Sequence, residues 1–178
     1  MGRIVYITGG RRSGKSAFAQ SMAERATGGK VYVATCPVID QETSARVEAH
    51  KIAREGKGWT TIEEEHDLAG AINRAGVADA VLVECLTLWV NNLLHQAQLA
   101  GVDANREAVM KAMAKALDAA AGTEGMVIFV SNEVGLGIIP DNPLARNFSD
   151  MAGIINQLAA ARADEAYLVV SGIAQKLK

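Results

Sequence analysis

The sequence predicts an α/β fold, a mainly parallel β-sheet with helices on both faces, and three observations lead to it. Five short apolar runs recur along the chain, and helical patterns separate them, as crossovers between parallel strands require. Each run is continuously apolar rather than alternating, which is typical of strands covered on both faces. The chain has 178 residues, which suits one domain of this kind spanning residues 1–178.

The elements follow in order along the chain. The predicted strands are rich in Val, Ile, Leu and Tyr and span Ile4–Thr8, Val31–Thr35, Ala80–Glu84, Met126–Ser131 and Ala166–Ser171. The predicted helices span Lys15–Ala26, Glu42–Arg54, Asp67–Ala75, Leu88–Ala100, Asn105–Ala121 and Leu144–Ala163. Gly and Pro predict irregular structure at Glu133–Pro143, and Gly and Lys do so at Glu55–Gly58.

Composition and charge exclude several classes of protein. The net charge of −2 leaves no excess of Lys and Arg to neutralise phosphates, so non-specific binding to nucleic acid or to an anionic membrane is not expected. No apolar stretch approaches the roughly 20 residues that span a bilayer. The two cysteines, Cys36 and Cys85, lack metal-ligand spacing. The chain enters its first strand without a secretion leader, and we expect a cytoplasmic protein.

A complete phosphate-binding motif follows the first predicted strand and opens the first helix. It reads G-x-x-x-x-G-K-[ST] and consists of Gly9, Gly10, Arg11, Arg12, Ser13, Gly14, Lys15 and Ser16. Glycines let backbone N–H groups converge on phosphate oxygens, and the helix N-terminus adds partial positive charge. Lys15 is expected to reach the outer phosphates and the Ser16 hydroxyl to coordinate Mg²⁺. The motif predicts a nucleoside triphosphate site; the alternative is a glycine turn that happens to carry a lysine.

The two arginines of the loop and an acidic residue elsewhere are further candidates. Arg11 and Arg12 either add charge to the triphosphate or are only solvated. Glu84 ends the apolar run that begins at Ala80, and ligands of open α/β sheets gather at the carboxyl ends of strands. Because a buried carboxylate is costly without a cation, we expect Glu84 to hold the metal directly or through water, with a structural ion pair as the alternative.

A histidine on the second predicted helix is the remaining candidate. Arg46 and Arg54 lie four residues before and after His50, so the three side chains would share one helix face. Two neighbouring guanidinium groups disfavour the imidazolium form, which would leave the ring neutral and nucleophilic. The same arginines could clamp a phosphate against it. The spacing by itself favours the alternative, a surface histidine on a charged helix.

These motifs, taken together in this order, resemble those of the bifunctional adenosylcobinamide kinase/adenosylcobinamide-phosphate guanylyltransferases of cobalamin synthesis. The resemblance runs from Ile4 to Lys178. It is carried by the loop from Thr8 to Ser16, Arg46–Lys51 with Arg54, Trp59 and Glu63, Glu84–Val90 with Asn92–Leu94, Ser131–Pro140, and then Leu144–Arg146, Asp150, Gly153 and Asn156–Gln157. A loop of this kind alone is widespread, but the set is specific.

The resemblance implies a P-loop NTPase with a RecA-like sheet. It implies transfer of the γ-phosphoryl group of ATP or GTP to adenosylcobinamide, a corrinoid, and then transfer of GMP from GTP to the resulting phosphate. His50 is implied to carry GMP covalently, and Lys15 is the other catalytic residue. Beyond the loop, implied GTP contacts are Ala34, Thr35, Cys36, Lys51, Ile52, Ala53, Arg54, Glu63 and Glu84. A homotrimer is also implied.

Three alternatives remain open from the residues. A monofunctional P-loop kinase of a small metabolite would need no covalent role for His50. A GTP-binding switch protein usually reads guanine with an Asn-Lys-x-Asp run, whereas the corresponding place here holds Asn132-Glu133-Val134-Gly135. A RecA-type motor acting on nucleic acid is opposed by the acidic charge balance.

Overall fold

One twisted sheet organises the chain. The computed structural model describes residues 2–37, 47–48, 51–102 and 105–178. Among these, seven strands form one sheet in the order β3-β2-β4-β5-β1-β6-β7. The strands are β1 (Arg3–Gly9), β2 (Lys30–Ala34), β3 (Trp59–Glu63), β4 (Ala80–Glu84), β5 (Met126–Val130), β6 (Glu165–Val170) and β7 (Ile173–Lys176). All neighbouring pairs are parallel except β6 with β7.

Helices connect most of the parallel strands. They are α1 (Lys15–Ala23), α2 (Leu68–Arg74), α3 (Leu86–Leu99), α4 (Arg106–Ala121) and α5 (Pro143–Arg162). Side-chain caps begin three of them: Asp67 accepts from the N–H of Gly70, Asn105 from that of Glu107, and Asn142 from those of Leu144 and Ala145. Pro143 follows its cap at the first helical position, where a missing N–H costs nothing.

Two hydrophobic layers cover the sheet because successive strand residues point to opposite faces. On one face Tyr6, Val33, Val83 and Phe129 pack against α2, α3, α4 and α5. On the other face the core combines strand residues with α1 and includes Val5, Ile7, Tyr32, Leu82, Ile128, Ala19 and Met22. Both faces of the central strands are therefore buried, as their continuous apolar runs predict.

The predicted α/β class and the five predicted strands are confirmed, but two edge strands were missed. The β3 segment, Trp59 to Glu63, is half polar, and its outer side has no neighbouring strand among the described residues, so it lacks the apolar run of a central strand. The β7 segment is four residues long and mostly exposed. Most of the predicted helix Glu42–Arg54 lies outside the described residues, although residues 51–54 are helical. Within the described ranges, no helix is long and apolar enough to cross a membrane.

Candidate active site

The loop between β1 and α1 has the geometry of an anion cradle. Any side chain at Gly9 would come within 2.4 Å of the Val169 carbonyl oxygen, so only glycine fits there. Gly14 adopts φ of 94°, a left-handed conformation that favours glycine, and it caps α1. The Ser13 N–H donates to the Gly10 carbonyl over 3.2 Å, which tightens the turn. The open N-terminus of α1 therefore faces the space that a phosphate would occupy.

Lys15 and Ser16 lie at the start of α1, inside this cradle. Lys15 is 7% exposed, and its Nζ donates to the Gly10 carbonyl over 3.0 Å, so the ammonium group lies across the loop. The Ser16 Oγ donates to Oε1 of Glu84. Glu84 is the last residue of β4 and pairs in register with Ala34 of β2. The predicted acidic partner therefore reaches the loop from the carboxyl end of a neighbouring strand.

Arg54 enters the same cleft from the segment before β3. Its guanidinium carbon lies 3.5 Å from the centroid of the Tyr32 ring, a cation–π arrangement. Arg54 is 5% exposed, and its Nη1 is buried without a hydrogen-bond partner among the described residues. The Tyr32 hydroxyl donates to Oε2 of Glu84 over 3.4 Å. Burial, followed by the negative charge of Glu84, raises the pKa of Tyr32 well above its ordinary value, so its hydroxyl stays protonated.

The cleft brings together five of the predicted site residues. Lys15, Ser16, Cys36, Arg54 and Glu84 line a cavity of about 110 Å³ at the carboxyl ends of the strands. Among these five residues, the buried Lys15 and Arg54 supply two positive charges and Glu84 supplies one negative charge, so the cleft is electropositive. Such a site attracts a polyanion.

Other predicted residues surround this cleft or lie apart from it. Thr35 is fully buried, and its Oγ1 accepts from the Cys85 N–H and donates to the Cys85 carbonyl, so it joins β2 to β4. Lys51 and Ile52 line a neighbouring depression that shares Arg54 with the cleft. Lys51 forms an ion pair with Glu63 at 3.7 Å. Four more residues lie at the margins: Ala34 is half-buried at the end of β2, and Ala53, Arg11 and Arg12 are exposed.

The proposed guanylyl carrier cannot be placed in this geometry. His50 and Arg46 lie outside the described residues. The prediction that Arg46 and Arg54 flank His50 on one helix face therefore stays a prediction.

Of the cleft-lining residues that sequence reasoning missed, Tyr32 and Asn132 both make polar contacts. Tyr32 is hidden in a strand pattern, where an aromatic residue is expected as core. Asn132 follows β5, and it belongs to the quoted motif at Ser131–Pro140 without an assigned role. Its N–H donates to Thr87 Oγ1 over 2.7 Å, and its carbonyl accepts from Asn156 Nδ2 over 3.1 Å. The rule that ligands gather after strand ends is a signal that could have found Asn132.

The oxygen ligands that Mg²⁺ prefers are present in the cleft. The Ser16 hydroxyl and the Glu84 carboxylate are in hydrogen-bonding contact, beside the cradle for the phosphates. Among the residues that the structure describes, no group of three or more His, Cys, Asp or Glu side chains forms a metal site by itself. The residues therefore fit an ion that takes its remaining ligands from phosphate oxygens and water.

Comparison with known proteins decides the family. The family model for cobinamide kinase / cobinamide phosphate guanyltransferase matches residues 5–177. The chain belongs to this family. The bifunctional adenosylcobalamin biosynthesis protein CobU of Salmonella typhimurium is 41% identical, with 98% of this chain and 99% of the relative aligned. CobU of Escherichia coli and CobP of Pseudomonas aeruginosa are each 36% identical, over 98% and 97% of this chain.

Membership of the cobinamide kinase/guanyltransferase family confirms the resemblance and makes the chain a transferase. A solved structure supports the fold independently: an ATPase from a bacterial type III secretion system has a TM-score of 0.60 to this chain. The two are 12% identical, and the match covers 99% of this chain but 57% of the ATPase. This likeness shows the fold alone, and it confirms the predicted α/β fold with a mainly parallel sheet.

Proposed function

We propose that this chain catalyses two successive transfers at one nucleotide site. In the first, ATP or GTP phosphorylates the hydroxyl group of adenosylcobinamide. In the second, GMP passes from GTP through His50 to the adenosylcobinamide phosphate, giving adenosylcobinamide-GDP. The observation that carries the proposal is the convergence of Lys15, Ser16, Arg54 and Glu84 on one cleft beside the phosphate loop. The family relatives named for adenosylcobalamin biosynthesis support the acceptor.

The first transfer is a direct displacement at the γ-phosphorus. The acceptor hydroxyl oxygen forms the new P–O bond while the bond to the β-phosphate oxygen breaks, the nucleoside diphosphate leaves, and the hydroxyl proton passes to water. The backbone N–H groups of the loop and Lys15 hold the β- and γ-phosphates in position and balance the charge on their oxygens. Mg²⁺ held near Ser16 and Glu84 would supply further positive charge to the same oxygens.

The second transfer divides one difficult displacement into two. An imidazole nitrogen of His50 attacks the α-phosphorus, the bond to the β-phosphate oxygen breaks, and pyrophosphate leaves. A phosphate oxygen of the acceptor then attacks the same phosphorus, the P–N bond breaks, and the free histidine is restored. Arg54, with a buried Nη1 that lacks a described partner, is suited to bind an oxygen of the transferring phosphate.

The nucleoside end of GTP is proposed to lie in the neighbouring depression. Lys51, Ile52 and Arg54 line it together with Trp59. Because Lys15 holds the phosphates on one side of Arg54, the nucleoside extends to its other side, toward Lys51 and Glu63. The proposal further includes a homotrimer and a cytoplasmic location, which suits two cysteines, Cys36 and Cys85, that are not joined in a disulfide in the described structure.

Two labels in one experiment test the sequence of transfers. The chain is incubated with adenosylcobinamide, Mg²⁺ and γ-labelled ATP, then with α-labelled GTP, and the corrinoid products are separated. The proposal predicts a corrinoid that gains the γ-label first and the α-label second, with release of unlabelled pyrophosphate. A product that gains the γ-label but never the α-label would reduce the function to that of a monofunctional kinase.

A further inference from the structure

Tyr32 contacts two of the charged side chains of the cleft, Arg54 and Glu84. It is 7% exposed, on the sheet face that carries α1. Its ring lies under the Arg54 guanidinium, and its hydroxyl reaches Glu84. Its chain neighbours Val31 and Val33 pack into the opposite layer. One side chain therefore contacts the arginine through its ring and the carboxylate through its oxygen.

The ring contact holds the Arg54 guanidinium group in the cleft. Within the described part of the chain, Arg54 Nη1 is buried without a hydrogen-bond partner, which is costly unless a ligand satisfies it. The aromatic face stabilises the charge without consuming any N–H group, since a cation–π contact uses the face of the guanidinium. Trp59 packs against Tyr32 edge to face, with centroids 6.4 Å apart and an interplanar angle of 81°. This second ring limits the positions open to Tyr32.

The hydroxyl group of Tyr32 acts on a different residue, Glu84. Glu84 Oε1 accepts from Ser16, and Oε2 accepts from Tyr32. Two donors from two different elements, α1 and β2, therefore set the plane of the carboxylate. An oriented carboxylate loses less entropy when it binds a cation than a freely rotating one does.

We propose that Tyr32 is a positioning residue that holds Arg54 ready for a nucleotide phosphate and orients Glu84 toward Mg²⁺. The inference rests on the proposed nucleotide site and adds a residue to it. In this role Tyr32 acts through Arg54 and Glu84 and not on the reacting atoms. Its two contacts use different parts of the side chain, so they can be removed separately.

Two substitutions separate the contacts. Tyr32→Phe keeps the ring under Arg54 and removes the hydroxyl from Glu84. Its half-saturating Mg²⁺ concentration should rise roughly 3-fold, the loss of one modest hydrogen bond, while the KM for GTP at saturating Mg²⁺ stays near that of the wild type. Tyr32→Leu removes both contacts and should in addition raise the KM for GTP roughly 5- to 10-fold, as expected for a desolvated cation–π contact.

Tyr6→Phe is the matched control. Tyr6 is also a buried strand tyrosine, but it packs in the opposite layer. Removing its hydroxyl should therefore leave the half-saturating Mg²⁺ concentration and the KM for GTP unchanged. A double-mutant cycle supplies a readout that general destabilisation would not move. In an Arg54→Gln background, Tyr32→Leu should change the KM for GTP no more than Tyr32→Phe does, because the contact is already absent.

Different outcomes would overturn the inference about Tyr32 and the proposed function. If Tyr32→Phe leaves the Mg²⁺ requirement unchanged, or Tyr6→Phe raises it equally, Tyr32 is only a core residue and the inference is wrong. Since Tyr32→Phe is nearly isosteric, this test holds even if Tyr32→Leu does not fold. Failure of the wild type to bind Mg²⁺ and GTP in isothermal titration would instead overturn the proposed nucleotide site.

Discussion

Ser16 and Glu84 are 68 positions apart in the chain, and the hydroxyl of one donates to the carboxylate of the other. The contact joins the first turn of α1 to the carboxyl end of β4. It depends on the crossover order of the sheet, in which β4 lies two strands from β1, with β5 between them. The fold therefore places a hydroxyl and a carboxylate, the oxygen pair proposed to hold Mg²⁺, beside the phosphate loop.

Replacing Glu84 tests this pair. Glu84→Gln keeps the shape of the side chain and removes its charge, so the half-saturating Mg²⁺ concentration should rise roughly 10-fold. The effect on corrinoid affinity should be smaller. Turnover is measured across a Mg²⁺ titration. Glu165→Gln, at the amino end of β6, is the control and should leave the Mg²⁺ curve unchanged. An unchanged curve for Glu84→Gln would assign that residue a structural role.

Lys15→Ala should lower the turnover of both transfers by at least about 100-fold, because the same ammonium group serves the triphosphate in each. The two activities are assayed separately by γ-label and α-label transfer. Lys111→Ala removes an exposed lysine on α4 and should have no effect. Near-normal kinase turnover in Lys15→Ala would contradict the assignment of the loop.

Some of this site could be predicted from sequence, because the features involved are local. The loop motif and the apolar run that ends at Glu84 each specify a position relative to a strand, and parallel strands bring their carboxyl ends to one edge. The contact between Arg54 and Tyr32 could not be predicted. It depends on how the chain returns from β2 to β3, which no periodicity encodes. The β3 edge strand was missed for the related reason that an edge needs no continuous apolar run.

The two cysteines should differ in reactivity. Burial raises the pKa of Cys85 to about 11, so at pH 8 its thiolate fraction is about 0.001 and alkylation is slow. Cys36 is only half-buried at the cleft. Iodoacetamide at pH 8, followed by peptide mass spectrometry, should modify Cys36 first and Cys85 only after unfolding in urea. Rapid modification of Cys85 in the native protein would contradict its burial.

A carboxylate at the opposite end of the sheet should make stability depend on pH. Hydrogen bonds from Tyr167 and Arg3 are the main causes that lower the pKa of Glu165 to about 2. Its folded pKa is below its unfolded value, so the stabilisation is complete above about pH 5 and is lost as pH falls toward 2. Glu165→Gln should lower the free energy of unfolding at pH 7 by about 1 kcal/mol, since Arg3 and Lys176 are half exposed and solvent screens them.

Urea unfolding at pH 7, 4 and 2.5 measures this difference. The gap between wild type and Glu165→Gln should shrink as pH falls. Glu124→Gln is the control, because Glu124 is exposed and forms no ion pair among the described residues. A gap that stays constant from pH 7 to 2.5 would show that Glu165 stabilises by packing alone.

We propose that one chain performs two chemistries and that His50 takes part in only one of them. The direct measurement is incubation with α-labelled GTP, denaturation, and detection of protein-bound label that acid releases. Wild type should carry the label, whereas His50→Ala and His50→Asn should not, yet both should still phosphorylate adenosylcobinamide, because that transfer needs no carrier. A protein–GMP adduct in either variant would contradict the assignment of His50, and loss of kinase activity in both would contradict the division of labour.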